Sequence, residues 1–322
     1  MHVRRSLATV LAVGSIVLAT ACGGDDLNPG SATDGSSPSP TTSSSTADKG
    51  SVSIASQNFG EAALVASMYD QLLTAAGYTT DVKLVDARDA YMATFPKSID
   101  IVPEYVGGIV NFLNAAKNGD NAQPFTAGDG QQLAEQGKPL LDEAGITLLD
   151  LSSATDTNAF FVTQEYSDSN SVTKLSDLQG VSVTLAAAPD CEGRLDCEGG
   201  LSDQYGIDIT KVLPLGYASD QTYQSVINGE SELGETSTTD GTLAAQGLVV
   251  LEDDKQIQPA QNLVPAVSSD FLAQHPDVAD VLNPLMAALT TEKLTELNGR
   301  IAVDREKPED VATSFLQEAG LL

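Results

Sequence analysis

The sequence predicts an α/β protein folded as two lobes, each a mostly parallel sheet flanked by helices. Three observations carry this. Composition changes near Gly50, about 270 residues follow, and short β-rich runs alternate with helical ones in two successive sets. A body of that length is too long for one small core and suits two units of ordinary domain size.

Residues 1–21 read as an export signal. Arg4 and Arg5 form a basic start, LATVLAVGSIVLATA over residues 7–21 carries no charge, and the run ends in small residues before Cys22. Such a run is too short to span a bilayer. LATAC resembles the lipobox of bacterial lipoproteins, which implies that Cys22 is lipidated; the alternative is a secreted protein with a spare thiol. Residues 22–50 are rich in Gly, Ser, Thr, Pro and Asp with too few apolar groups to bury, so they read as a flexible tether with a reach of about 30 Å.

The chain holds 16 basic and 45 acidic side chains, a net charge of −29, and loss of Arg4 and Arg5 with the signal leaves 14 against 45, or −31. That balance opposes nucleic acid and anionic membrane surfaces as partners. A small cation suits it, and solubility alone also accounts for it.

From residue 51, SVSIAS reads as a strand, and Val65, Met68, Tyr69, Leu72, Leu73 and Ala76 recur on one helical face before Gly77 ends it. DVKLVD and IDIVPEY read as strands, VGGIVNFLNAAKNG and residues 130–144 as helices, and ITLLDL as a further strand. Near residues 151–158 the chain leaves this lobe. The second lobe opens with NAFFVTQ and continues through VSVTLAA, GLSDQYG, KVLPLG, a helix at 220–228, ESELGETS and LVVLEDD. NLVPAVSS then leads back to helices with Val278, Val281, Leu282, Leu285, Met286 and Leu289 in step, and Pro308 opens the last helix.

With Cys22 assigned to lipid, Cys191 and Cys197 remain in an oxidising compartment, where a disulfide is the default. A zinc site needs four ligands, yet the mature chain has one histidine, His275, and a thioredoxin-type site needs C-x-x-C. No metal and no cofactor is therefore expected. Closing so short a loop shapes it more than it stabilises the fold, and Arg194 lies at its apex.

The ordered set SQNFGEAALVASMYDQLL, IDIVPEYVGG, PDCEGRLDCEGGL, STTDGTLAA and LVVLEDDK resembles the substrate-binding proteins of quaternary-amine ABC importers, the binders of glycine betaine, choline and carnitine. It spans residues 51–322. The resemblance implies a type II periplasmic-binding-protein fold in which lobe one takes residues 51–152 and 260–322, lobe two takes 153–259, and the ligand sits in a hinged cleft between them. It further implies an extracytoplasmic, usually monomeric receptor that delivers a small-molecule ligand to an ABC permease and meets the membrane only through its lipid anchor. An enzyme is disfavoured: one mature histidine beside Pro276 leaves no Ser-His-Asp or Cys-His set, and no catalytic residue is assigned.

A quaternary ammonium cannot donate a hydrogen bond, so aromatic faces must hold it, at about 0.5–2 kcal/mol per ring. Tyr105 and Tyr223 fall where the family's cage tyrosines stand, with local packing as the competing reading. For a carboxylate end, Gly107 and Gly108 let backbone N–H groups approach at a helix start. Arg194, matching the family's loop arginine, offers a planar fork, with a surface ion pair as the alternative. Two further family tyrosines align with Ala159 and Ser237, so the cage is incomplete; Phe59, Tyr91 and Phe160 are the nearby rings. Gln57, Asn58, Arg88, Asp156, Asn158, Thr238 and Thr239 are polar candidates for the pocket, each equally suited to capping or turns. Asp156 could face a cation or a hydroxyl, and Asp240 reads as a helix cap. These departures keep open a second reading, the same fold with a non-quaternary ligand.

Overall fold

A computed structural model of the chain describes residues 48–322; the signal, Cys22 and the tether up to residue 47 lie outside them. In chain order, the first lobe contains β1 (Ser51–Gln57), α1 (Gly60–Ala75), β2 (Thr79–Val85), α2 (Arg88–Met92), β3 (Ile101–Tyr105), α3 (Val106–Asn118), α4 (Gly130–Ala144) and β4 (Ile146–Leu148). The second contains β5 (Asn158–Thr163), α5 (Gln164–Asn170), β6 (Ser182–Ala187), α6 (Glu198–Asp203), β7 (Asp208–Pro214), α7 (Asp220–Ile227), β8 (Leu233–Ser237) and β9 (Leu248–Leu251). The chain then returns through β10 (Leu263–Ser268), α8 (Ser269–Gln274), α9 (Asp277–Ala288), α10 (Thr291–Ala302) and α11 (Pro308–Glu318).

The strand orders are β2-β1-β3-β10-β4 and β7-β6-β8-β5-β9. Each sheet is mixed. Four strands run one way, and the fifth, β10 or β5, runs antiparallel to both of its neighbours. In both sheets that reversed strand is the one by which the chain enters from the other lobe.

The strand sequences are apolar on successive residues because both faces of each sheet are covered. On β1, Val52 and Ile54 join the core under α1, α9, α10 and α11, whereas Ala55 joins the core under α2, α3 and α4. On β5, Phe160 and Val162 face the cluster that holds the disulfide, and Phe161 faces the one that holds Tyr223. Helix α1 ends where expected, with Gly77 at φ +102° and the Tyr78 N–H donating back to the Leu73 carbonyl at 3.0 Å. Helix α11 has Pro308 in its first turn.

Two segments, 149–157 and 252–262, join the lobes and lie side by side. Thr155 bridges Asn262, the Leu263 N–H donates to Ala154 at 3.0 Å, and the Asp156 N–H donates to Gln261 at 3.2 Å. Two expectations change. Asp240 does not cap an α-helix: it accepts from the Thr242 N–H at 2.9 Å and closes a turn that leads only into a short 3-10 turn at Ala244–Gln246. Helix α10, absent from the sequence reading, starts at Thr290, whose hydroxyl accepts from the Lys293 N–H.

Candidate ligand-binding cleft

A cavity of about 410 Å³ opens where the start of α1, the crossing segment at Asp156, the β7–α7 loop, the end of β8 and helix α10 converge. In doubly wound sheets this is where ligands sit, because loops leaving the carboxyl ends of parallel strands meet there. Its wall carries three rings, Phe59, Tyr217 and Tyr223, and three carboxylates, Glu61, Asp156 and Asp240. A smaller cavity of about 100 Å³ shares Asp156 and Tyr217 and adds Asn158 and Asp196. Neither lining contains a lysine or arginine.

Glu61, on the first turn of α1, is 5% exposed. It accepts from the Tyr105 hydroxyl and from Asn298 Nδ2 of α10, the latter at 2.6 Å. Burial, then the nearby charge of Asp156, pushes its carboxyl up to about 7, because the ionised form loses hydration and gains a like-charged neighbour. Burial raises Asp156 as well. Asp240 differs: its oxygens accept from the Tyr223 hydroxyl (2.6 Å), the Thr236 hydroxyl (2.6 Å), and both the N–H and hydroxyl of Thr242 (2.9 and 2.7 Å). It is a fully bonded anchor for the Tyr223 ring, which also packs on Phe161 with centroids 5.5 Å apart.

Of the sequence candidates, Tyr223, Asp156 and Thr239 line the larger cavity and Asn158 the smaller one. Tyr105 stands behind Glu61, its ring against the first-lobe core and its hydroxyl committed. Thr238 stitches the crossing segments: its hydroxyl donates to the Thr155 carbonyl at 2.7 Å and accepts from the Thr157 N–H at 3.1 Å. Gln57 ends β1, and the Asn58 N–H donates to the Val85 carbonyl; neither lines a described cavity wall at this cleft.

Arg88 and Tyr91 do not enter the cleft. Arg88 forks onto the buried Glu104 of β3 (2.8 and 3.0 Å), and Tyr91, 2% exposed, donates to the same carboxylate. Phe160 is 1% exposed in the core and supplies no ring either. The anion seat expected at Gly107 and Gly108 is taken from within. The Gly108 N–H donates to Gln261 Oε1 at 2.9 Å, and a Cβ at Gly107 would lie 2.4 Å from the Ala260 carbonyl. Close packing of the returning segment accounts for Gly107, and at Gly108 a Cβ would lie 2.5 Å from Arg88 Nη2, where the guanidinium crosses α3 on its way to Glu104.

Cys191 and Cys197 form the disulfide, with Cα atoms 5.3 Å apart. Glu235 lies against it, but oxidised sulfur is not a thiolate ligand, so the trio is no metal site. Arg194, on the loop it closes, binds Asp196 through Nε (3.0 Å) and Nη2 (2.7 Å) and Asp190 through Nη1 (3.2 Å). Its fork is occupied by its own loop.

Sequence reasoning missed Glu61, Tyr217 and Asn298. Glu61 reads as an ordinary acidic residue at a helix start, and Tyr217 as a turn residue. Asn298 was hidden with α10, whose spacing of Leu294, Leu297 and Ile301 was the available signal. Of the eight exposed large hydrophobic side chains among the described residues, the two aromatic ones, Phe59 and Tyr217, both line this cavity.

Residues 50–318 match the family model described as the substrate binding domain of ABC-type glycine betaine transport system. The chain is 27% identical over 282 residues to the glycine-betaine-binding protein of Pseudomonas aeruginosa, covering 84% of this chain and 88% of that one. It is 27% identical over 283 residues to the glycine betaine-binding protein YehZ of Escherichia coli, covering 84% and 90%. The structure of apo YehZ superposes with a TM-score of 0.70, covering 84% of this chain and 99% of its own. With the match spanning nearly the whole two-lobed body, the chain belongs to the family of substrate-binding domains of ABC-type glycine betaine transport systems, which bind solutes and are not enzymes.

Proposed function

We propose that this chain is an extracytoplasmic receptor, anchored by lipid on Cys22, that closes its lobes on a small quaternary-ammonium or related cationic solute and presents it to an ABC permease. The observation that carries this reading is the cavity wall: exposed rings from both lobes, Phe59 and Tyr217, together with Glu61 and Asp156 and no basic side chain. Rings attract a cation through their faces, and a desolvated carboxylate adds a full opposite charge. No helix among the described residues is long and apolar enough to cross a membrane; the attachment in this reading is the lipid on Cys22.

Isothermal calorimetry against choline, glycine betaine, carnitine and ectoine tests the reading. Binding of at least one with micromolar affinity, roughly −8 kcal/mol, is expected. No heat with any of the four removes the class. The second reading, a ligand outside the quaternary amines, is favoured by Ala159 and Ser237, which leave the wall with fewer rings than the family's cage. Mass spectrometry of the molecule that co-purifies with the chain distinguishes the two.

A further inference from the structure

Of the three buried side-chain atoms that lack a hydrogen-bond partner among the described residues, two belong to residues lining the same cavity: Asp156 Oδ1 and Asn298 Oδ1. Both are acceptors. The orientation of the Asn298 amide is fixed by chemistry, since Nδ2 donates to Glu61 Oε2 at 2.6 Å and to the Thr239 carbonyl at 3.0 Å. Turning it over would set an oxygen against two acceptors. Asp156 receives no lysine or arginine from the walls of either cavity it lines, and the Ser237 and Thr239 hydroxyls beside its carboxylate leave Oδ1 unpartnered. An unpartnered buried acceptor costs about 1–3 kcal/mol, and more when charged. Two of them at one cavity mark a place where a donor arrives from outside the chain.

Glycine betaine brings no donor. Its nitrogen is fully substituted, and its carboxylate would enter among Glu61, Asp156 and Asp240. The groups suited to receive that carboxylate are engaged, Arg194 by Asp196 and Asp190 and the Gly108 N–H by Gln261. We propose that the ligand of this cleft is a small cation that itself carries an O–H or N–H donor, and that Asp156 and Asn298 receive that donor while Phe59 and Tyr217 cover the cationic end. The inference rests on the cleft being the ligand site, as in the reading above, and narrows its substrate class.

The test is calorimetry of the purified chain with four probes: choline, its O-methyl ether, glycine betaine and protonated dimethylaminoethanol. Choline and its ether share one trimethylammonium group and differ in the donor. A hydrogen bond to a charged acceptor predicts choline binding about tenfold or more tighter than the ether, with glycine betaine weaker still. Dimethylaminoethanol, with O–H and N–H, should exceed the ether too. Equal affinities for choline and its ether overturn the donor assignment and leave the quaternary-amine reading standing. No binding by any probe overturns both. Asp156→Asn keeps the shape and presents an amide in place of the carboxylate, so the choline-to-ether ratio should fall to within about threefold, as expected for loss of a charge-assisted bond. The melting temperature should not fall, because the amide removes a buried charge that Glu61 and Asp240 oppose and can still accept from the Ser237 and Thr239 hydroxyls. A variant that melts like the parent and keeps the full ratio rules out Asp156 as the receiver.

Discussion

Glu104 on β3 and Glu235 on β8 hold equivalent places in two sheets of like order. Each is 1% exposed, and each lies opposite the reversed strand, across from Val264 and Phe160 respectively. Their surroundings differ. Glu104 receives the fork of Arg88, the Tyr91 hydroxyl and the Tyr105 N–H at 3.0 Å. Glu235 receives the Ala188 N–H at 2.7 Å, while Arg194 points its fork at Asp196, and burial raises the Glu235 carboxyl. The first lobe neutralises its buried acid inside the scaffold. The second leaves negative charge near the cleft, where Glu61 and Asp156 add more. The same architecture thus supplies a half whose buried acid is neutralised within the scaffold and a half whose field suits a cation.

The largest effect that tests this contrast is loss of the neutralising partner in the first lobe. Arg88→Met leaves Glu104 buried with no cation, and breaking such a pair costs about 3–5 kcal/mol. Urea unfolding of the variant should show a loss near the lower end, since Arg88 itself is 27% exposed along its side chain. A loss under about 1 kcal/mol would mean that Glu104 does not depend on Arg88 for its partner and that the two lobes do not differ as described.

The next effect sharpens the cleft side of the comparison. The Glu61 carboxyl is raised in the folded state from its ordinary 4.5 to about 7, so the folded protein holds a proton that the unfolded chain releases. Stability from this group is full below pH 4.5 and is lost as pH rises towards 7, an effect of roughly 3 kcal/mol, since one pKa unit corresponds to about 1.4 kcal/mol. The groups facing Glu61 are Asp156 from the crossing segment, Tyr105 from β3, Asn298 from α10 and Thr239 after β8. Of these Asp156 is the other acid, and burial raises its carboxyl in the same direction. Thermal melts between pH 5 and 8 should fall with pH, and Glu61→Gln should flatten the slope. An unchanged slope in the variant would assign it elsewhere.

The contrast also explains what the sequence could and could not disclose. Strand and helix positions follow from local spacing, and VSVTLAA or NAFFVTQ reads as a strand whatever surrounds it. The cleft depends on partners far apart in the chain. Arg88 and Tyr91 look like exposed polar candidates until Glu104 is placed beneath them, and Gly107 and Gly108 look like an anion seat until Gln261 fills it. Arg194 reads as a candidate ligand arginine from its place between two cysteines and its match to the family's loop arginine. Its engagement by Asp196, two residues away, depends on a loop conformation that one sequence does not specify.

Arg194 gives the smallest and most discriminating effect. Its side chain is 34% exposed and those of its partners Asp190 and Asp196 are 76% and 31% exposed, so Arg194→Ala should cost under about 1 kcal/mol, and less in high salt. The consequence for binding has the opposite sign from that of a ligand-holding arginine. Asp196 lines the smaller cavity beside Asp156 and Tyr217, and freeing it from its guanidinium adds negative field where a cation would sit. Choline affinity should therefore hold or tighten by up to about threefold, the scale expected of a screened, partly exposed charge. A tenfold loss would mean instead that the loop reorganises on closure, releases Arg194 from Asp196 and turns it onto the solute, so that the second lobe too carries a working arginine and the asymmetry belongs to the open cleft alone.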